Sequence, residues 1–173
     1  MSVPQTHRGD NPFWAFSLDR YGRDGVASLC LLLQDRHGAD VNLVLLGLWL
    51  GAVGRRISSR QAGKRIAGAV ADWHEQIVCP MRAVRRQLKH WELRDVDARD
   101  ALRAAVQRSE LAAEKMEQDL LYDQVTRAPE LCRAVGSEGR AHAMVANAAL
   151  FCESAADGTP PDAPLLQVAE LCG

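Results

Sequence analysis

Asp40-Val41-Asn42-Leu43-Val44-Leu45-Leu46-Gly47-Leu48-Trp49-Leu50-Gly51-Ala52-Val53 is the stretch whose reading decides the fold. From Val41 to Val53 it is apolar on nearly every side, broken only by Asn42. A helix apolar all round belongs inside other elements, so this segment is expected to be the central helix of the core. It is too short to cross a bilayer, which takes ~18–20 apolar residues. Asp40 supplies an N-cap. Gly47 and Gly51 lie four apart on one face, where missing side chains admit a second helix at close range; internal packing is the expected use.

Working outward, the same helical punctuation recurs. Asn11-Pro12 reads as an N-cap with proline at the first helical position, opening a helix to about Tyr21. A second helix runs from about Val26 to Arg36 and ends at Gly38. Ser58 or Ser59 caps a fourth, with Ala62, Ile66, Val70, Trp73 and Ile77 on one stripe, and Pro80 ends or kinks it. A fifth spans Pro80 to about Leu93, and a sixth runs from about Asp97 to Thr126. In the sixth, Leu102, Val106, Ser109, Ala113, Met116 and Leu120 alternate by four and three, a short coiled-coil-like seam suited to antiparallel packing. Ser137 caps a last helix to about Ser154. The four tryptophans, Trp14, Trp49, Trp73 and Trp91, fall on apolar faces and are expected in the core.

Composition agrees. Aromatic residues are 5% of the 173, Ala and Leu abound, and β-branched runs are rare. The expectation is an all-α, single-domain bundle of about six to eight helices around residues 41–54. A loose tail at 1–10, a helical domain at 11–154 and a C-terminal tail at 155–173 with Thr159-Pro160-Pro161 complete the division. No strand pattern stands out.

The five cysteines are odd in number, scattered and without a C-x-x-C pair, which argues against a disulfide framework or zinc knuckle. A cytoplasmic protein with reduced thiols is expected, since residues 1–10 carry no apolar signal core.

The net charge of −1 hides a division. Residues 55–94 hold ten Lys/Arg against three acids, and the remainder eleven against nineteen. One basic stretch in a near-neutral chain points to an anionic partner rather than to nucleic acid. Within it Arg82, Arg85, Arg86 and Lys89 share one helix face. Four cations there repel one another. The relief is an anion, or the acid-rich sixth helix with Asp97, Asp100, Glu110, Glu114, Glu117 and Asp119.

A second polar cluster surrounds the turn before the apolar helix. Asp35, Asp40 and Asn42 are oxygen donors a hard cation such as Mg²⁺ would accept. Helix capping by Asp40 and termination at Gly38 account for the same residue types without a metal. The histidines show no ligand spacing, and no nucleophile elbow, phosphate loop or dinucleotide turn occurs.

Phe13-Trp14-Ala15-Phe16-Ser17-Leu18 and Gln34-Asp35 through Gly38 to Asp40-Val41-Asn42 carry a resemblance. Over residues 12–90 the chain resembles an uncharacterised proteobacterial family sharing an F-W-x-F-S-L opening and a Q-D-x-x-G-x-D-V-N segment. The resemblance implies no activity.

Three functional readings follow. The first is a non-catalytic protein that binds an acidic partner through residues 55–94, with no cofactor. The second is a binder of a small phosphate- or carboxylate-bearing metabolite at the same cations. The third is a Mg²⁺-dependent enzyme on a diphosphate, which needs a second acidic motif that the sequence does not contain. Membrane insertion is not expected.

Overall fold

The computed structural model describes residues 11–152 and 162–173, which form an all-α fold with one two-stranded sheet. The expected tail at 1–10 and the Thr159-Pro160-Pro161 segment lie outside the described residues. The described residues divide into two compact units, 11–56 with 134–152 and 162–173, and 57–133. The chain passes between them on two short strands, β1 (Arg55–Ile57) and β2 (Cys132–Ala134), which pair with each other. Each strand is only three residues long, too brief for an alternating pattern to register.

The first unit contains α1 (Pro12–Tyr21), α2 (Val26–His37) and α3 (Val41–Ala52). Two C-terminal helices complete it: α8 (Arg140–Ala149) and α9 (Asp162–Cys172). Every residue of α3 from Asn42 to Gly51 is buried, which makes it the central helix of this unit. The Asp40 side chain accepts from Asn42 N–H at 2.9 Å, as expected of its cap. Asn11 does the same for Trp14 N–H at 2.7 Å. Phe13 and Trp49 pack ring to ring, centroids 5.6 Å apart.

The two glycines of α3 face α8. A Cβ on Gly47 would lie 2.6 Å from Ala148 N, and one on Gly51 2.3 Å from Met144 N. The backbones therefore meet where a side chain would stand. Buried Asn147 stitches the contact, its amide donating to the carbonyls of Gly47 at 3.3 Å and Arg55 at 2.9 Å.

The C-terminal end differs from the tail read in the sequence. Residues 162–172 are helical, and Leu165, Val168, Ala169 and Cys172 are buried, with α9 against α2. Pro164, in the first turn of α9, conceals this helix in the sequence, because a proline that begins a helix resembles one that ends a fold.

The second unit is built on α7 (Val96–Arg127), a 32-residue helix. Against it lie α4 (Arg60–Gly68), the single turn α5 (Ala71–Trp73) and α6 (Cys79–His90). The chain stays helical from α5 into α6 through a π turn, His74–Val78, in which Cys79 N–H reaches back five residues to the His74 carbonyl. Pro80 accounts for it. Proline has no N–H to give, and its ring crowds the carbonyl four residues earlier, so a wider turn just before it lets the helix continue. The expected break at Pro80 is thus a local widening.

The register of α7 is a second departure. Its buried residues are Glu110, Ala113, Glu117, Gln118, Leu121 and Val125; of the expected seam of Leu102, Val106, Ser109, Ala113, Met116 and Leu120, only Ala113 is among them. Among the described residues no helix is long and apolar enough to cross a membrane.

Candidate functional site

The buried face of α7 is lined with carboxylates, and partners from the preceding helical stretch meet them in order. His74, in the π turn, stands with Nδ1 3.1 Å from Oε1 of the fully buried Glu117. The Trp73 indole donates to the Ala113 carbonyl at 3.0 Å. Two turns on, Arg82 donates through Nη2 to Glu114 at 2.9 Å and through Nε to Glu110 at 3.4 Å. Arg85 grips the same Glu110 with both Nε and Nη2.

Glu110 thus sits buried between two guanidiniums, an arrangement that offsets the cost of removing a carboxylate from water. Burial raises the Glu114 carboxyl above its ordinary value, although the hydrogen bond and charge of Arg82 pull it the other way. Burial also disfavours the Arg82 cation, but Glu114 and Glu110 outweigh it and hold its pKa above the ordinary guanidinium value.

The four cations of the basic stripe therefore separate. Arg82 and Arg85 turn inward onto α7, while Arg86 and Lys89 remain on the exposed side. Arg86, Gln87, His90, Trp91 and Glu92 line an open depression at the end of α6. Trp91 is 59% exposed, against the expectation that it belongs to the core. The reason is its place: α6 ends at His90, and Trp91 caps it in extended conformation beyond the last packed turn. Arg99 of α7 donates to the Trp91 carbonyl at 3.3 Å, so the position is held. Val84, two turns back along α6, and Leu93 are also exposed.

The family described as "Protein of unknown function (DUF2390)" matches residues 12–121 of this chain. The chain belongs to the DUF2390 family. The matched stretch contains α1 to α6 and most of α7, including both halves of the Arg–Glu cluster and the Trp91 depression. No curated protein and no solved structure matches the chain.

The second candidate cluster is placed as follows. Asp35 lies exposed near the end of α2, where the Gln34 amide donates to it at 3.3 Å. Asp40 is the cap of α3, and Asn42 is buried in the first turn of that helix. Asp40 and Asn42 are joined through the capping hydrogen bond, a structural use of the residue types that also suit a cation.

All five cysteines are free. Burial pushes the Cys30 and Cys152 thiols up to about 12 and Cys172 to about 11, so in this fold they are protonated and unreactive. The neighbouring Cys172 and Cys152 add to the shift at Cys30.

Sequence reasoning missed His74 and Glu117 as a pair and Trp91 as an exposed group. One signal was present for the first: acids at 110, 114 and 117 repeat at helical spacing along a segment that also had to pack.

Proposed function

We propose that this DUF2390 chain is a non-catalytic cytoplasmic binding protein whose α6 surface receives an acidic protein partner. The observation that carries the reading is an exposed tryptophan, with Val84 and Leu93 exposed nearby in sequence and Arg86, Lys89 and Arg94 in the same stretch, at the end of α6. A large exposed aromatic flanked by cations is the composition of an interaction hot spot, the ring supplying buried area and the charges supplying orientation and rate. Within residues 84–94 the only acid is Glu92, so the exposed charge is positive. Neutralisation of Arg82 and Arg85 by Glu110 and Glu114 favours this surface contact over a phosphate pocket, which would draw on all four cations.

The test is site-specific photocrosslinking from position 87, inside the depression, and from exposed Gln61 on α4 as a control. Any protein captured from position 87 alone is then titrated against the purified chain. Its affinity should fall steeply with salt, drop again in Arg86→Glu/Lys89→Glu, and weaken at constant salt slope in Trp91→Ala. A captured protein indifferent to salt and to all three substitutions refutes the reading. Thermal stabilisation of the wild type by inorganic phosphate or diphosphate, lost in Arg86→Glu/Lys89→Glu, would put a small anion in the partner's place.

A further inference from the structure

Most of the seam on α7 is left over once the fold is accounted for, Ala113 alone of its six residues being buried. Leu102, Val106, Ser109, Ala113, Met116 and Leu120 keep the four-and-three alternation by which one helix meets another. Yet α7 turns a different face to α6 and the π turn, the one carrying Glu110, Glu117, Leu121 and Val125, with Ala113 at the border of the two. At about 100° per residue, the two faces lie roughly a third of a turn apart around the axis. Leu102 is 53% exposed, Met116 52% and Leu120 44%. Ala98, Ser109 and Ala112 are exposed on the same stripe, and from Ala98 to Leu120 the stripe carries no charged side chain.

The stripe is also close to its own mirror image. Leu102 and Met116 stand seven residues either side of Ser109 and Ala98 and Leu120 eleven, while Ala105 and the buried Ala113, four either side, lie on its two flanks. A contact between two copies related by a two-fold axis must be self-complementary, and an antiparallel pair about Ser109 sets Leu102 against Met116 at both ends. An unrelated partner would impose no such symmetry. Ala98, Ala105 and Ala112, seven apart along one edge, keep that edge thin enough for close approach.

We propose that α7 pairs with α7 of a second copy, antiparallel, about an axis at Ser109. A stripe from 98 to 120 is about 34 Å long, and two such strips in contact bury on the order of 1,000 Å². That is the lower edge of a specific interface, so the dimer is weak and concentration-dependent. The contact is separate from the α6 depression and does not rest on the function proposed for it.

The experiment is sedimentation velocity of the full chain from about 1 to 500 μM. The average mass should rise from one copy toward two, and Leu102→Glu/Met116→Glu should stay monomeric with unchanged helicity and melting temperature at low concentration. Cysteine crosslinking fixes the geometry without depending on that variant. In a Cys79→Ser background under mild oxidation, Ser109→Cys should link to itself, and Leu102→Cys should link to Met116→Cys but not to itself. Leu111→Cys, exposed on another face, should remain unlinked. A monomer throughout the range overturns the proposal. So does self-linking of Leu102→Cys, which means parallel helices, or equal linking at Leu111→Cys. Loss of low-concentration stability in Leu102→Glu/Met116→Glu, without self-association of the wild type, would show that the same chain covers the stripe.

Discussion

Replacing Gly51 by alanine should destabilise the protein, although alanine is the better helix former. The Cβ that Gly51→Ala adds would lie 2.3 Å from Met144 N and 2.5 Å from Met144 Cα, where ordinary contact begins near 3.4 Å. Both obstacles are backbone, so no rotamer change relieves them; α8 must retreat by about 1 Å. Overpacking of this kind costs ~1–3 kcal/mol, here toward the upper end. The retreat also stretches the hydrogen bond from Asn147 to the Gly47 carbonyl, already 3.3 Å long, for about 1 kcal/mol more. Helix propensity returns about 1 kcal/mol. The net loss is about 3 kcal/mol, or roughly 6–12 °C in melting temperature for a chain of this size. Urea and thermal unfolding followed by tryptophan fluorescence would measure it, since Trp49 lies on the same helix. Gly68→Ala is the control: nothing stands within 4 Å of its added Cβ, so stability should hold or rise by up to about 1 kcal/mol. Gly47→Ala/Gly51→Ala should cost less than the sum of the single changes, because one retreat of α8 serves both. Gly51→Ala that is as stable as the wild type, or more so, would refute the close contact.

Glu110→Gln should cost about 2 kcal/mol, because it leaves two largely buried guanidiniums short of a charge partner, whereas exposed Lys89→Ala should change urea stability by less than about 0.5 kcal/mol. The Glu114 carboxyl, raised by burial, should titrate above the ordinary carboxylate range by NMR, and Arg82→Gln should move it higher still by removing the groups that lower it. Its sign follows: a raised carboxyl favours folding when protonated, so this contribution is present at acid pH and lost as pH rises through the folded midpoint. A midpoint that falls in Arg82→Gln would contradict the assignment. Iodoacetamide at neutral pH should label half-exposed Cys79 first and leave Cys30, Cys152 and Cys172 unmodified until the protein unfolds; peptide mass mapping reads the order.

Much of the helical layout was open to inspection in the sequence. The caps Asn11, Asp40 and Ser59 all accept the expected backbone hydrogen bond, and α7 begins and ends within one residue of the sequence reading. Those signals are local: a side chain and a backbone N–H two or three residues apart. The rotation of α7 was not legible, because hydrophobic periodicity assumes an apolar interior face and this one carries Glu110 and Glu117. Carboxylates can occupy such a face only when Arg82, Arg85 and His74 arrive from another helix, which no window along α7 reveals. Trp91 misled for a related reason. Its spacing continues the apolar stripe of α6, but the helix stops at His90 and leaves the ring beyond the last packed turn. The separation of Arg82 and Arg85 from Arg86 and Lys89 turns on which side of α6 meets α7, again a long-range fact.

The paired strands at the two chain crossings bear on the order of assembly. Gly54 O accepts from Val135 N–H at 2.9 Å, and Leu131 O from Ser58 N–H at 2.9 Å, so each unit has its two open ends side by side. Residues 57–133 are continuous and can condense as soon as they are synthesised, whereas α3 must wait for α8. Asn147 reaches Gly47 across 100 positions of chain. Closing so long a loop from a random coil is slow and entropically costly. Once the intervening unit has folded, its ends replace that loop with a gap of a few residues, a shortening worth roughly 2 kcal/mol of closure entropy. The inserted unit thereby acts as a template for the helix pair on which the first unit depends.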